Sequence, residues 1–81
     1  MEVKLLKQPQ KYLASVDAPT RRKLLKALDR LSRLEGNIVP LAGQPGIYRY
    51  KLEHYRILFR WEKGEIIIVV FQIDTRGNTH Y

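Results

Sequence analysis

The first part of the chain has the apolar spacing of a short strand followed by a helix. Residues Glu2 to Leu6 alternate weakly between polar and apolar, which predicts a strand. From Lys7 to Val16 the spacing becomes helical, and Pro9 suits the first turn because a backbone N–H would have no partner there. The apolar positions of this predicted helix are Tyr12, Leu13 and Val16.

A second and clearer helical pattern follows between residues 17 and 35. Asp17 can cap this helix, Pro19 suits its first turn, and Gly36 is a suitable C-terminal stop. Its apolar positions recur at helical steps and are Leu24, Leu25, Leu28, Leu31 and Leu34. Its other side carries one acid, Asp29, among six cations: Arg21, Arg22, Lys23, Lys26, Arg30 and Arg33.

Beyond residue 46 the apolar period changes from that of a helix to that of a strand. Because Pro and Gly are dense from Asn37 to Gly46, this stretch is predicted to be a loop. The alternation predicts strands at Ile47–Leu52, Tyr55–Trp61 and Glu65–Ile73, and a polar tail over Asp74–Tyr81. The run IIIVVF, apolar on both faces, is typical of an interior strand covered on one side by helices.

This order of elements predicts an α+β fold with two N-terminal helices on one face of a small antiparallel sheet, in the order β-α-α-β-β-β. The N-terminal strand would pair beside one strand of the meander. No repeat or Ser/Gly-rich linker interrupts the sequence, so residues 1–81 are interpreted as a single domain.

The turn at Glu53-His54 sets which side chains face each other in the meander. If this turn has two residues, Lys51 lies directly opposite Arg56, and Arg49 lies opposite Leu58. Facing like charges destabilise a sheet by some tenths of a kcal/mol, up to about 1. The cluster therefore indicates a phosphate site, whereas the alternative is a shifted register in which both cations extend into water.

Charge and composition narrow the classes of function. The chain of 81 residues has 15 Lys and Arg against 8 Asp and Glu, a net charge of +7, so nucleic acid is an obvious partner. Many small proteins are nevertheless basic without binding nucleic acid. The absence of cysteine excludes a disulfide framework, a thiolate nucleophile and a cysteine-ligated metal. With neither a signal-peptide core nor a run of about 18 apolar residues, the expected location is the cytoplasm.

Four blocks carry a resemblance to a known family: PLAGQPGIYRYKL, YRILFRW, IIIVVFQI and DTRGNTHY. In order and spacing they resemble the RelE/ParE superfamily of type II toxin–antitoxin toxins, and more closely its RelE-like, RNA-cleaving branch. The resemblance implies the same two-helix, antiparallel-sheet fold. It also implies a ribosome-dependent endoribonuclease (mRNA interferase) that inhibits translation through attack by the RNA's own 2′-hydroxyl, with no metal and no cofactor. Implied partners are a cognate antitoxin, the ribosome with its mRNA, and operator DNA through the antitoxin, with no membrane.

The family pattern can be carried over to individual residues of this sequence. Arg49 and Lys51 match the basic pair of the first meander strand, Arg56 the arginine that opens the second, and Arg76 and Tyr81 the arginine and tyrosine of the tail. The tail is one residue shorter than in the best-known members, and Arg49 stands where a Lys can occur. His80 resembles the histidine of a subgroup ending in His-Tyr, but that subgroup's catalytic Glu has no counterpart between residues 37 and 46.

The chemistry of RNA cleavage assigns a role to each of these groups. Lys51 is the candidate general base, since the like charges of its neighbours favour its neutral form and lysine, unlike arginine, can titrate. Arg56 is the candidate bidentate clamp on the scissile phosphate. Arg76 would stabilise the leaving oxygen, His80 is the better proton donor, and Tyr81 would stack on a base. Further candidate RNA-binding residues are Arg49, Arg60, Arg21, Arg22, Lys26, Arg30 and Arg33.

Other interpretations of the same residues stay open. The helix cations can equally form an ordinary solvated face, and His80 can be a terminal residue without a role. At the level of function, the alternatives are a ParE-like inhibitor of DNA gyrase and an inactive homologue that binds only antitoxin and operator DNA.

Overall fold

The structure, a computed structural model, describes residues 1–75 and consists of two helices and five strands. In chain order the elements are β1 (Glu2–Leu5), α1 (Lys7–Ser15), α2 (Ala18–Leu31), β2 (Asn37–Pro40), β3 (Ile47–Leu52), β4 (Tyr55–Arg60) and β5 (Ile67–Thr75). Within the described residues, no helix has the length and apolar character needed to cross a membrane.

The strands form one sheet in the order β1-β5-β4-β3-β2. The predicted α+β arrangement is confirmed, and β1 lies beside a meander strand as expected. The pairing of β1 with β5 is parallel, however, so the sheet is mixed and not purely antiparallel. A parallel pair requires a long crossover connection, and here both helices and three strands separate its members along the chain.

Strand β2, which the sequence pattern does not predict, lies within the stretch predicted to be a loop. Residues Asn37–Pro40 pair antiparallel with β3, and half-buried Ile38 packs against the core. The Pro and Gly residues that indicate a loop begin only at Pro40, and a proline is tolerated there because β2 is an edge strand. The prediction of a loop over Asn37 to Gly46 is therefore wrong for its first four residues.

The hydrophobic core lies between the helices and one face of the sheet. On β3 and β4 the predicted alternation is confirmed, since Tyr50, Ile57 and Phe59 are all buried. From the helices and β5, the buried side chains are Pro9, Leu13, Leu24, Ala27, Leu28, Leu31, Ile68, Val70 and Ile73.

Helix α2 ends three residues earlier than the leucine pattern predicts. Its last residue is Leu31, and Leu34 has a positive φ of 55°, a conformation that a helix does not accommodate. Gly36 follows with a φ of 114°, and a Cβ at this position would lie 2.7 Å from ring atoms of Tyr50. Leu25, expected on the apolar side, is 48% exposed.

Strand β5 is displaced by two residues from its predicted range and contains a β-bulge. It runs from Ile67 to Thr75, since the preceding turn is longer than Glu62–Gly64. Leu58 pairs with Gln72 while Phe59 pairs with Val70, which leaves Phe71 as the additional residue. The bulge reverses the alternation, so that Ile73 enters the core and Asp74 belongs to the opposite face.

Candidate active site on the open face of the sheet

The face of the sheet that the helices leave uncovered, here called the open face, carries four of the predicted site residues, Arg49, Lys51, Arg56 and Arg60. Its side chains form rows that cross the strands, because facing residues in a sheet point to the same side. One row is Asn37, Lys51, Arg56 and Asp74. The next is Val39, Arg49, Leu58 and Gln72, and the last is Ile47, Arg60, Val69 and Lys4.

The predicted register of the β3–β4 hairpin is confirmed. Lys51 lies directly opposite Arg56, and Arg49 lies opposite Leu58. The tight turn at Glu53-His54 sets this register, with Glu53 in the left-handed region at a φ of 41°. Lys51 is half-buried and, within residues 1–75, takes part in no ion pair.

Arg56 is held by a carboxylate on the neighbouring strand. Its Nε donates to Asp74 Oδ1 at 3.1 Å and its Nη2 donates to Asp74 Oδ2 at 3.2 Å. Gln72 Nε2 donates to the same Oδ2 at 2.7 Å, so the carboxylate is fixed from two directions. Arg56 and Asp74 are 27% and 25% exposed, which places the pair partly out of water. An acid therefore faces the arginine on the side away from Lys51.

Arg49 is half-buried and has one buried polar atom, its Nε. Its Nε is buried, and the residues that the structure describes provide no hydrogen-bond partner for it. Leaving a buried charged donor unpaired costs more than an ordinary unmade hydrogen bond. Arg49 thus places a half-buried guanidinium on the open face, between Val39 and Leu58. An anionic oxygen is the acceptor that a guanidinium binds most strongly.

The cations predicted on the second helix do not form one binding face. The Arg21 guanidinium donates from Nε to the Leu13 carbonyl and from Nη2 to the Val16 carbonyl, both at 2.8 Å. It therefore caps the C-terminal end of α1. Arg33 bridges Asp29 and Glu35, and these two acids raise the pKa of its guanidinium.

The remaining helix cations are in solvent. Arg22, Lys26 and Arg30 are exposed and make no ion pair within the described part of the chain. Lys23 bonds Glu53 at 3.0 Å, which raises the pKa of Lys23, lowers that of Glu53 and ties α2 to the β3–β4 turn.

Three predicted residues, Arg76, His80 and Tyr81, lie outside the described residues. The last described residue, Thr75, pairs with Tyr55 at the end of the sheet that carries the Lys51 row. Arg60, the other predicted residue of β4, is exposed at the opposite end of the open face.

Four polar side chains of the open face are absent from the sequence-based candidates, and two of them, Gln72 and Asp74, belong to the hydrogen-bonded group around Arg56. The alternation of the apolar run assigns Asp74 to a polar tail, because a sequence gives no sign of a bulge at Phe71. The sequence feature that points to an acid here is the facing pair of cations, Lys51 and Arg56, because like charges in a sheet favour a nearby counter-charge.

Comparisons with known proteins give one family. Residues 3–79 match the family model described as the ParE toxin of type II toxin–antitoxin system, parDE. No curated protein sequence matches the chain.

Among solved structures, the RelE of the archaeal RelE–RelB complex from Pyrococcus horikoshii OT3 is similar over 96% of this chain and 97% of that one. The TM-score is 0.75, with 26% sequence identity. The isolated Escherichia coli RelE toxin gives a TM-score of 0.75 with 18% identity, over 91% of this chain and 82% of that one. The intact E. coli RelBE toxin–antitoxin complex gives 0.71 with 21% identity, over 89% and 92%.

The family model covers nearly the whole chain, and the structural matches share its arrangement of helices and sheet. The chain therefore belongs to the ParE/RelE family of type II toxin–antitoxin toxins.

Proposed function

We propose that this toxin is an mRNA endoribonuclease that cuts messenger RNA on the ribosome by activating the RNA's own 2′-hydroxyl. The observation that carries the proposal is the cation cluster on the open face, in which Arg49, Lys51 and Arg56 occupy neighbouring positions of two paired strands. A sequence selected only for the stability of the sheet would tend to avoid placing Lys51 opposite Arg56, since such a pair lowers that stability by some tenths of a kcal/mol, up to about 1.

The cluster supplies two of the elements that this reaction needs. A phosphodiester attacked by its 2′-oxygen gains negative charge in the transition state, and preorganised guanidinium donors stabilise that charge. Arg49 supplies a half-buried guanidinium and Arg56 a guanidinium of fixed orientation. Lys51, half-buried and without an ion pair among the described residues, is the group that takes the hydroxyl proton. Arg76, His80 and Tyr81 complete the site by stabilising or protonating the leaving oxygen and stacking on a base.

A cognate antitoxin is the proposed protein partner. The matched P. horikoshii and E. coli complexes are RelE bound to RelB, and this toxin is proposed to be neutralised in the same general way. Operator DNA would then be bound through the antitoxin. The exposed cations of α2, Arg22, Lys26 and Arg30, are proposed to contact ribosomal RNA or an acidic antitoxin.

Inhibition of DNA gyrase is the second candidate function, because the family model that matches the sequence is that of ParE. It would be a binding activity without RNA chemistry. The half-buried cations of the open face favour RNA cleavage, because clustered guanidinium and ammonium groups bind phosphate.

The decisive experiment compares two triple variants of equal charge. In the site variant, Lys51, Arg56 and Arg76 are replaced by Ala. In the control, Lys7, Lys11 and Lys63, which are exposed and lie off the open face, are replaced by Ala. Purified proteins are added to ribosomes programmed with a defined messenger, and cleavage is followed by primer extension.

We expect wild-type toxin and the control to cut the messenger, and the site variant to lose at least about 10³-fold in rate, because the base and the phosphate clamp act together. Equal cleavage by the site and control variants would overturn the proposal. A wild type that leaves ribosomal messenger intact but blocks supercoiling by purified gyrase would establish the ParE-like function instead.

A further inference from the structure

We infer that Asp74 is a positioning residue for the reaction: its carboxylate orients the Arg56 guanidinium for the scissile phosphate and holds it on the side away from Lys51. This inference rests on the proposed function, and it concerns a residue for which neither the family pattern nor the sequence indicates a role.

One row of the open face carries two neighbouring cations followed by an anion. Arg56 lies between a cation, Lys51, on β3 and an anion, Asp74, on β5. Repulsion from one side and attraction from the other direct the guanidinium toward β5, the strand that leads into residue 76. Asp74 is the anion of this row, and its charge opposes the effect of the repulsion between Lys51 and Arg56.

The hydrogen bonds between Arg56 and Asp74 fix the orientation of the guanidinium. Nε and Nη2 of Arg56 donate to the two oxygens of one carboxylate at 3.1 and 3.2 Å. This side-on arrangement fixes the plane of the guanidinium as well as its position. Gln72 Nε2 binds Asp74 Oδ2 at 2.7 Å, so the carboxylate cannot rotate without losing a further bond. Gln72 thus fixes the Asp74 carboxylate, and Asp74 in turn fixes Arg56, the proposed phosphate clamp.

The β-bulge at Phe71 places Gln72 and Asp74 on the open face. Ile68 and Val70 point into the core, so a regular strand would also direct residues 72 and 74 toward the helices. The additional residue, Phe71, reverses that alternation. Bulges commonly re-aim side chains next to active sites. Here the result is that a carboxylate and an amide stand beside Arg56 and not in the core.

A carboxylate near a phosphate site has two opposite electrostatic consequences, and these give the inference a distinctive signature. Asp74 lowers the positive potential of the open face, which weakens the attraction of RNA. It also holds Arg56 in the orientation that the transition state requires, which accelerates the chemical step. Removing the charge should therefore strengthen binding while slowing cleavage.

The test is Asp74→Asn, which preserves the shape of the side chain and removes its charge. In single-turnover cleavage on programmed ribosomes, we expect the concentration at half-maximal rate to fall about twofold or to stay constant, and the maximal rate to fall about tenfold. Asp74→Glu, which restores the carboxylate, should recover part of the rate. The matched control is Glu62→Gln, an exposed acid of the β4–β5 turn, which should leave the rate unchanged.

A double-mutant cycle separates positioning from a structural role. If Asp74 acts through Arg56, Asp74→Asn should change the rate less than about twofold in an Arg56→Ala background. NMR of the Arg56 Nε–H provides a readout independent of activity, since this proton should exchange slowly with solvent in the wild type and rapidly in Asp74→Asn.

The possible outcomes separate the two proposals. A wild type that cleaves while Asp74→Asn cleaves equally fast overturns the role of Asp74 and leaves the proposed function intact. An equal loss of rate in the presence and absence of Arg56 also overturns it, since the aspartate would then act on the fold. A wild type that does not cleave overturns the proposed function, and a rapidly exchanging Nε–H in that protein overturns the positioning geometry as well.

Discussion

The covered and open faces of β3 and β4 are built from alternate residues of the same strands, yet they have opposite chemistry. On the covered face, Tyr50, Ile57 and Phe59 are 2%, 0% and 0% exposed. On the open face the same strands place cations next to one another, with Lys51 opposite Arg56. Burial of the first set drives folding, whereas the second set works against it and is offset in part by Asp74. Stability and the proposed activity therefore depend on different sides of one sheet.

The largest expected effect is a difference in the free energy of unfolding between variants of two adjacent residues of β4, one on each face of the sheet. Ile57→Ala removes a side chain that is fully buried against the helices, and should lower the free energy of unfolding by about 3–4 kcal/mol. Leu58→Ala, on the half-buried open face, should cost about 1 kcal/mol. Urea denaturation of both variants measures the difference. Similar losses at the two positions would show that the open face also carries the fold.

The cations of α2 show a similar division, because some of them bond to other parts of the chain while others are exposed to solvent. Arg21 bonds two carbonyl oxygens at the end of α1, so Arg21→Ala should lower the free energy of unfolding by about 1–1.5 kcal/mol. Arg22→Ala, which removes the same charge from an exposed position, should change it by less than about 0.5 kcal/mol. Thermal denaturation of the pair checks this. If the two variants are equally stable, Arg21 belongs with the solvated cations.

The register at the centre of the site could be predicted from the sequence because it depends on local features. A two-residue turn at Glu53-His54 fixes which residues of its flanking strands face each other, and alternation then assigns the faces. For the same reason the positions of Arg49, Lys51 and Arg56 on the open face follow from residues that are close along the chain. The family blocks supported the same placement.

The features that could not be predicted depend on contacts between distant parts of the chain. Strand β2 is specified by pairing with β3, and its short apolar pair, Ile38 and Val39, is too brief to give a period. The bulge at Phe71 arises from the pairing of β4 with β5, so the sequence pattern alone assigns Asp74 to the tail. The capping role of Arg21 requires knowing that α1 ends beside α2. In each case the missing information is a tertiary contact.

The smallest effect is expected at the ion pair that joins α2 to the β3–β4 turn, and it depends on pH. The hydrogen bond from Lys23, followed by its charge, lowers the pKa of Glu53 below its ordinary value of 4.5. The pair therefore stabilises the fold above that value, and its contribution is lost as the pH falls through the lowered pKa. The pKa of Lys23 is raised above 10.5, so the contribution is lost again only in strong alkali.

Both partners are well exposed, so the contribution is small, and the informative quantity is its change with pH. Glu53→Gln keeps the length of the side chain and removes the charge, so it should lower the thermal midpoint near pH 7 and have no effect near pH 2. Glu65→Gln, at an exposed acid without an ion pair in the described chain, is the matched control and should leave the midpoint unchanged near pH 7. A Glu53→Gln difference that is the same at both pH values would mean that the turn conformation at this residue, with its positive φ, and not the charge, accounts for the effect.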